Sequence, residues 1–407
     1  MAERCFRGNF TQQEAIPEEA IARAVEVLRG GRLHRYNVPD GEAGEVALLE
    51  QEFAAYQGSR YCLACASGGY ALHVALKAYG LAPGASVLTN AFTLSPVPGA
   101  IDNAGGRPVL VETTEDLVLD LGDLEAKIDS SGARLLLLSH MRGHQADMER
   151  LCTLLETRGI VLIEDCAHTM GAAWKGRRSG SFGLAACFST QTYKHINSGE
   201  GGLLTSDDPD LMARAVILSG SYMLYGRHKA APPAEAYADI ALETPNYSGR
   251  MDVLRAAILR PQLRDLDRQV ARWNERYRAI EALLQQSPAL YLPVRPAEEG
   301  YVGSSIQFLV RELDGSGCAA FQRACRERGV ALKWFGEPLP SGYTSRHDSW
   351  RYIQAQSLPV SDAILARLFD MRIPLTFSLQ DCRLIAEILL ECLAAFGGTC
   401  GEPAAAQ

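Results

Sequence analysis

The sequence predicts an α/β protein: a large domain built on a mostly parallel, seven-stranded type of sheet between helices, then a smaller C-terminal α+β domain. Three observations lead there. Short, continuous apolar runs alternate with helical patterns between residues 61 and 188, as strands buried on both faces do. A chain of 407 residues is long for one compact core. A long Arg- and Leu-rich helical stretch over 254–284 separates this pattern from a second set of strands and helices.

In order, 16–28 has helical spacing, with Pro17 near its start and Gly30-Gly31 after it. Residues 47–56 read as a second helix, ended by Gln57-Gly58. A short strand over 61–66 enters the turn Ser67-Gly68-Gly69, and a helix over 70–79 stops at Gly80. Strands follow at 86–89 and, after an Asn-Ala-Gly-Gly loop, at 108–112. Residues 124–128 are helical, 134–139 a buried strand, 148–158 a helix and 160–164 a strand. The run 185–188 is one more strand. The stretch 254–284, interrupted at Pro261, leaves the large domain. Beyond it come 306–310, a helix around 319–328, 331–334 and a last helix over 380–395. The expected division is a large domain over 1–262, a small one over 263–400, and a disordered tail at 401–407.

Composition narrows the function classes. Apolar content of 47% with 22% charged residues describes an ordinary globular protein. A net charge of −8 argues against nucleic acid as a partner, because phosphate binding needs a basic surface. No apolar run approaches the roughly 20 residues of a membrane helix. The N-terminal stretch lacks the apolar core of a signal peptide. Eleven cysteines, scattered singly, suit a reduced cytoplasm better than a disulfide framework.

The chemistry concentrates in 160–202, IVLIEDCAHTMGAAWKGRRSGSFGLAACFSTQTYKHINSGEGG. An apolar run ends in Glu164 and Asp165, which point to opposite faces of a strand. A second run leads to Lys194, preceded by hydroxyls and followed by Gly-Glu-Gly-Gly. A lysine alone is nearly always a solvated charge. A strand-end aspartate with a lysine beyond the next strand is, however, what holds pyridoxal 5′-phosphate: the amine makes the Schiff base and the carboxylate keeps the ring nitrogen protonated. Asp165 is chosen over Glu164 because Cys166 and Ala167 leave room for a ring, and His168 can reach its phenolic oxygen. Ser67, Gly68 and Gly69 open a helix whose first N–H groups suit a phosphate, and Ser189 can add a hydroxyl.

Other patterns carry no chemistry. Cys62 and Cys65 face opposite ways on a strand, with no second pair to complete a zinc site. His140 and His144 are four apart, but Gly143 and the preceding strand argue against a helix. No dinucleotide fingerprint, Walker-type loop or nucleophile elbow is present.

Taken together, several segments resemble the DegT/DnrJ/EryC1/StrS family, the sugar-type aminotransferases of fold type I. They are Ser67-Gly68 with Ala71-Leu72-His73; Asn90-Ala91-Phe92-Thr93; HMRGHQADM from His140; EDCAHTMGA from Glu164; and Phe188-Ser189 to Lys194 with its GEGG. Arg250-Met251, Ala256-Ala257-Ile258, Gln262-Leu263 and Leu358-Pro359-Val360 extend the likeness. The resemblance implies that Lys194 carries the cofactor and shuttles the substrate proton, that Asp165 pairs with the ring nitrogen, and that His168 stands beside the ring. It further implies that Phe92 stacks on the ring, that Ser189, Gly68 and Gly69 bind phosphate, and that two subunits form a homodimer with shared active sites.

Three departures stand out. Gly68-Gly69-Tyr70 replaces the family's Gly-Thr-Ala, removing a phosphate-binding hydroxyl. Ser248-Gly249-Arg250-Met251 replaces Asn-Tyr-Arg-Met, so Asn246 or Ser248 takes the partner-donated phosphate contact. Met141-Arg142-Gly143-His144 replaces Leu-Tyr-Gly-Gln, and the new Arg142 and His144 suit a substrate carboxylate or phosphate. Tyr225, in the loop 218–246, is a candidate substrate contact. The expected activity is transfer of an amino group from glutamate or glutamine to a keto sugar or related intermediate. The alternative is elimination, replacement or cyclisation of an amino-acid-derived substrate on the same cofactor.

Overall fold

Seven strands of five residues each form the central sheet of the computed structural model, which describes residues 4–39, 41–341 and 346–396. They are β1 (Tyr61–Cys65), β2 (Ser86–Asn90), β3 (Arg107–Val111), β4 (Leu135–Ser139), β5 (Val161–Asp165), β6 (Ala185–Ser189) and β7 (Gly202–Ser206). Their spatial order is β1-β7-β6-β5-β4-β2-β3. Only β7 runs against its two neighbours. The tail expected at 401–407 lies outside the described residues.

Alternation along each strand explains why helices cover both faces. Leu135 and Leu137 pack with the helix Gly68–Tyr79, whereas Leu136 and Leu138 pack with Met148, Leu151 and Leu155 of the helix Met148–Arg158. Each such burial contributes about 1.5–3 kcal/mol. Cys65 and Cys62 likewise fall on opposite faces, so the C-x-x-C spacing is a consequence of the pleat.

The expected interruption at Pro261 is corrected. Pro261 lies inside the helix Val253–Arg264, and the break comes at Asp265 (φ −101°, ψ 0°) before the helix Leu266–Leu284. Arg268 and Gln269 bind the Asp265 carboxylate and fix the corner.

A second, antiparallel sheet orders β8 (Leu290–Tyr291), β9 (Ser305–Val310), β11 (Leu368–Arg372) and β10 (Lys333–Trp334). Its apolar face packs Phe308 and Phe369 against the helices Gly315–Glu327 and Leu379–Ala394. Phe6 and Phe10, from the start of the chain, join that core, each with its ring centroid 4.9 Å from that of Phe377. Among the described residues no disulfide joins the cysteines, and no helix is long and apolar enough to cross a membrane.

Candidate active site

Parallel pairing brings Asn90, Ser139, Asp165 and Ser189 out on one edge of the sheet, the edge where ligands of such sheets bind. There a cavity of about 460 Å³ is walled by the carboxyl edge of the central sheet and by Ser304, Ser305 and Arg372 of the smaller one. Asp165 ends β5 and is buried. One carboxylate oxygen accepts the Ser139 hydroxyl at 2.9 Å and the other the Ala167 N–H at 3.1 Å. Burial raises its pKa, while these two hydrogen bonds and the nearby Lys194 act against the rise. Glu164 points the other way. It accepts N–H groups from Gly180, Phe182 and Gly183 and meets the His140 ring at 2.9 Å, which makes it a structural anchor.

One end of the cavity is the start of the helix Gly68–Tyr79. The Ser67 hydroxyl caps it by accepting the Tyr70 N–H at 3.1 Å. Backbone packs tightly there. A Cβ on Gly68 would sit 2.9 Å from the Ser189 Cβ, and one on Gly202 only 2.3 Å from the Ser67 carbonyl oxygen. Those two glycines let strand, turn and β7 meet.

Lys194 reaches the cavity from the loop after β6, its Nζ 2.8 Å from His168 Nε2. His168 Nδ1 accepts the Arg142 N–H at 3.3 Å. Burial, then the charges of Lys194 and Arg142, hold the ring neutral with a pKa well below its usual value. With Nδ1 committed as an acceptor, the ring proton sits on Nε2 and faces the lysine nitrogen. That arrangement favours the uncharged amine. Burial and the charge of Arg142, followed by those of Arg372 and Lys333, pull the Lys194 pKa down to about 7 against the attraction of Asp165.

Arg142 is held in the left-handed region (φ 56°, ψ 20°), a strained setting for a non-glycine residue. Its guanidinium lies 2.9 Å from the fully buried Asp370.

Of the residues expected from sequence, Lys194, Asp165, His168, Ser189, Ser67, Gly68, Gly69 and Arg142 all line this one cavity. Phe92 is not brought there. The chain turns at the end of β2 and buries Phe92 against Phe335, ring centroids 5.2 Å apart, with Met141 between that cluster and the cavity. His144 is also set back, because its Nε2 pairs with Gln307 Oε1 at 2.8 Å and burial pushes its pKa well down. Tyr225 stacks on Tyr237 (4.0 Å) and, with Asn246, lines a separate cavity of about 280 Å³. Ser248 is exposed and its hydroxyl accepts from Arg250 at 3.1 Å. The sequence reading missed Ser139, whose place at a strand end was a usable signal, and Arg372, which carried none.

A mostly parallel seven-stranded sheet whose carboxyl edge brings a lysine and a buried aspartate into one cavity, with a smaller antiparallel sheet lining its other side, is the architecture of a fold type I transferase. The profile of the DegT/DnrJ/EryC1/StrS aminotransferase family matches residues 14–389, and the chain belongs to that family. It is 32% identical to the spore coat polysaccharide biosynthesis protein SpsC of Bacillus subtilis (strain 168), over 68% of this chain and 69% of that protein. It is 31% identical to a dTDP-3-amino-3,4,6-trideoxy-alpha-D-glucose transaminase of Streptomyces venezuelae, over 87% and 89% of the two chains. Among solved structures, DesV of S. venezuelae in complex with a ketimine intermediate superposes with a TM-score of 0.77 at 26% identity, covering 92% of this chain and 94% of that one.

Proposed function

We propose that the chain is a pyridoxal 5′-phosphate-dependent aminotransferase that moves an amino group from glutamate or glutamine to a keto sugar or related biosynthetic intermediate. The observation that carries this is that Lys194, its pKa lowered by burial and by Arg142, lines the same cavity as the buried Asp165. The transaminase named among the relatives supports the substrate class.

The donor set fits the cofactor. A capped helix start with the Ser189 hydroxyl beside it suits a phosphate. A buried carboxylate, already fixed by Ser139 and Ala167, suits a protonated ring nitrogen. When bound, pyridoxal phosphate supplies an electrophilic aldehyde and an electron-withdrawing ring. Ser67, Gly68, Gly69 and Ser189 would hold the phosphate, and Asp165 would keep the ring nitrogen charged. Lys194 Nζ, beside His168 in the cavity, would carry the cofactor and would hold or move the proton of the substrate carbon. His168 aims the lysine nitrogen.

The same reading makes the protein a cytoplasmic homodimer. Exposed Tyr222, Met223, Leu242 and Tyr247 cluster along the segment that also carries Asn246 and Ser248. Tyr247 meets the His73 ring near Gly69, beside the helix start proposed for the phosphate, which makes this face the one on which we place the partner.

The test is a half-reaction. Holoenzyme mixed with glutamate or glutamine should lose its yellow colour and release the matching keto acid, and Lys194→Ala should abolish turnover. A yellow wild-type enzyme that no amino donor bleaches contradicts amino transfer.

A further inference from the structure

The helix start at one end of the cavity lies beside a segment from far along the chain. Residues 247–251 run along the free edge of β1 and the Ser67 turn. The Ala66 N–H donates to the Gly249 carbonyl at 2.8 Å, Cys65 bridges Arg250, and the Met251 N–H reaches the Ala64 carbonyl at 3.4 Å. Asn246, Tyr247 and Ser248 are exposed, whereas Gly249 is buried. The Tyr70 ring covers it. A Cβ added to Gly249 would collide with that ring, and its three nearest atoms all belong to Tyr70. The backbone at 249 lies outside the left-handed region. The glycine therefore answers to the close approach of the ring and not to a turn.

Tyr70 is anchored at both ends. Its N–H donates to the Ser67 hydroxyl at 3.1 Å, which fixes it to the first turn of the helix Gly68–Tyr79. Its own hydroxyl shares one proton between the carbonyls of Tyr247 at 3.0 Å and Leu218 at 3.2 Å. The Tyr247 ring stands edge-on to it, centroids 5.9 Å apart, and meets His73 one turn further along the helix. Tyr70 stands outside the cavity that Gly68 and Gly69 line. Two departures from the family's residues, tyrosine for alanine at 70 and glycine for tyrosine at 249, are thus one exchange. The ring between helix and segment comes here from the helix.

We infer that Tyr70 is a positioning residue for the phosphate of the cofactor: it clamps the segment carrying Asn246 and Ser248 to the helix start on which the phosphate rests. The inference rests on the pyridoxal phosphate reading and names a residue that sets the phosphate end without touching it. Donors held in place before an anion enters need less ordering when it does. Slack between helix and segment is therefore felt at the phosphate and not at the cofactor's ring.

Binding of two cofactor forms to cofactor-free protein separates this role from a general loosening of the fold. Pyridoxal 5′-phosphate engages the helix start, and pyridoxal, which lacks the phosphate, does not; each is followed by the yellow band it forms. Tyr70→Phe keeps the ring and loses the shared proton. It should weaken pyridoxal 5′-phosphate about three- to ten-fold, the scale of one neutral hydrogen bond, and leave the constant for pyridoxal unchanged. Gly249→Ala, which drives a Cβ into the ring, should act in the same direction without altering Tyr70. An unchanged constant for the phosphate form in either variant, or an equal loss for both forms, overturns the inference. Should Gly249→Ala fail to fold, Tyr70→Phe decides alone: a loss confined to the phosphate form supports the role, and no loss or an equal loss overturns it. A wild type that forms no yellow band with pyridoxal 5′-phosphate contradicts the cofactor reading itself, and the inference falls with it.

Discussion

Lys194 Nζ lies 2.8 Å from His168 Nε2, and the backbone N–H of Arg142 occupies the other nitrogen of that ring. One strained arginine thus sets the imidazole tautomer through its amide and lowers the lysine pKa through its guanidinium.

The first consequence is a pH dependence of cofactor loading. The Lys194 amine is the reactive form, and its pKa is pulled from 10.5 to about 7. The rate at which apoenzyme takes up pyridoxal phosphate, followed by its yellow band, should rise through about pH 7 and then level off. Removing a repelling cation raises the lysine pKa, so Arg142→Gln should move that rise to higher pH.

Asp165→Asn should fold and still take up the cofactor, since an amide retains an oxygen that can accept from Ser139 or Ala167. It leaves the ring nitrogen without a negative partner. Turnover should fall by about 10²–10³-fold, the scale seen when one preorganised electrostatic contact is lost, measured as kcat on protein with unchanged circular dichroism.

Ser139→Ala tests the shell behind that carboxylate. Burial already raises the Asp165 pKa, and the Ser139 hydroxyl is one of the contacts opposing it. Without it the pKa climbs further and more of the acid is neutral at low pH. The acid limb of the kcat profile should therefore shift upward in pH, while activity at alkaline pH stays close to wild type.

The pair Arg35 and Glu50 tests stability apart from catalysis. Arg35 holds both Glu50 oxygens at 2.8 and 2.9 Å and touches His228 at 3.0 Å, all buried. Burial pushes the Glu50 carboxyl up, but Arg35 and His228 outweigh it and leave the pKa at about 2. The folded pKa is thus below the ordinary 4.5, so this stabilisation is present above pH 4.5 and is lost as pH falls toward 2. Arg35→Ala leaves a buried charge unpaired and should cost about 3–5 kcal/mol in denaturant unfolding at neutral pH.

Much of the central sheet was legible because buried strands announce themselves as apolar runs, and their polar last residues, Asp165 and Ser189, line the cavity. Lys194 was legible from its glycine-rich surroundings. The rest depended on contacts far apart in sequence. The strand Leu368–Arg372 carries Asp370 and Arg372 in its middle and at its end, which reads as surface until Arg142 and Lys333 are seen beside it. Phe92 looked like a ring-stacking residue, yet Phe335, far along the chain, packs edge-on against it. Pro261 read as a break because propensity is local, whereas the helix Val253–Arg264 is held by packing against the large domain.

The most direct test of the account is the position of the covalent bond. Yellow holoenzyme reduced with borohydride, digested and mapped by mass spectrometry should carry the pyridoxyl mass on Lys194. A label on another lysine, such as the nearby Lys333, or no label in protein supplied with cofactor, contradicts it.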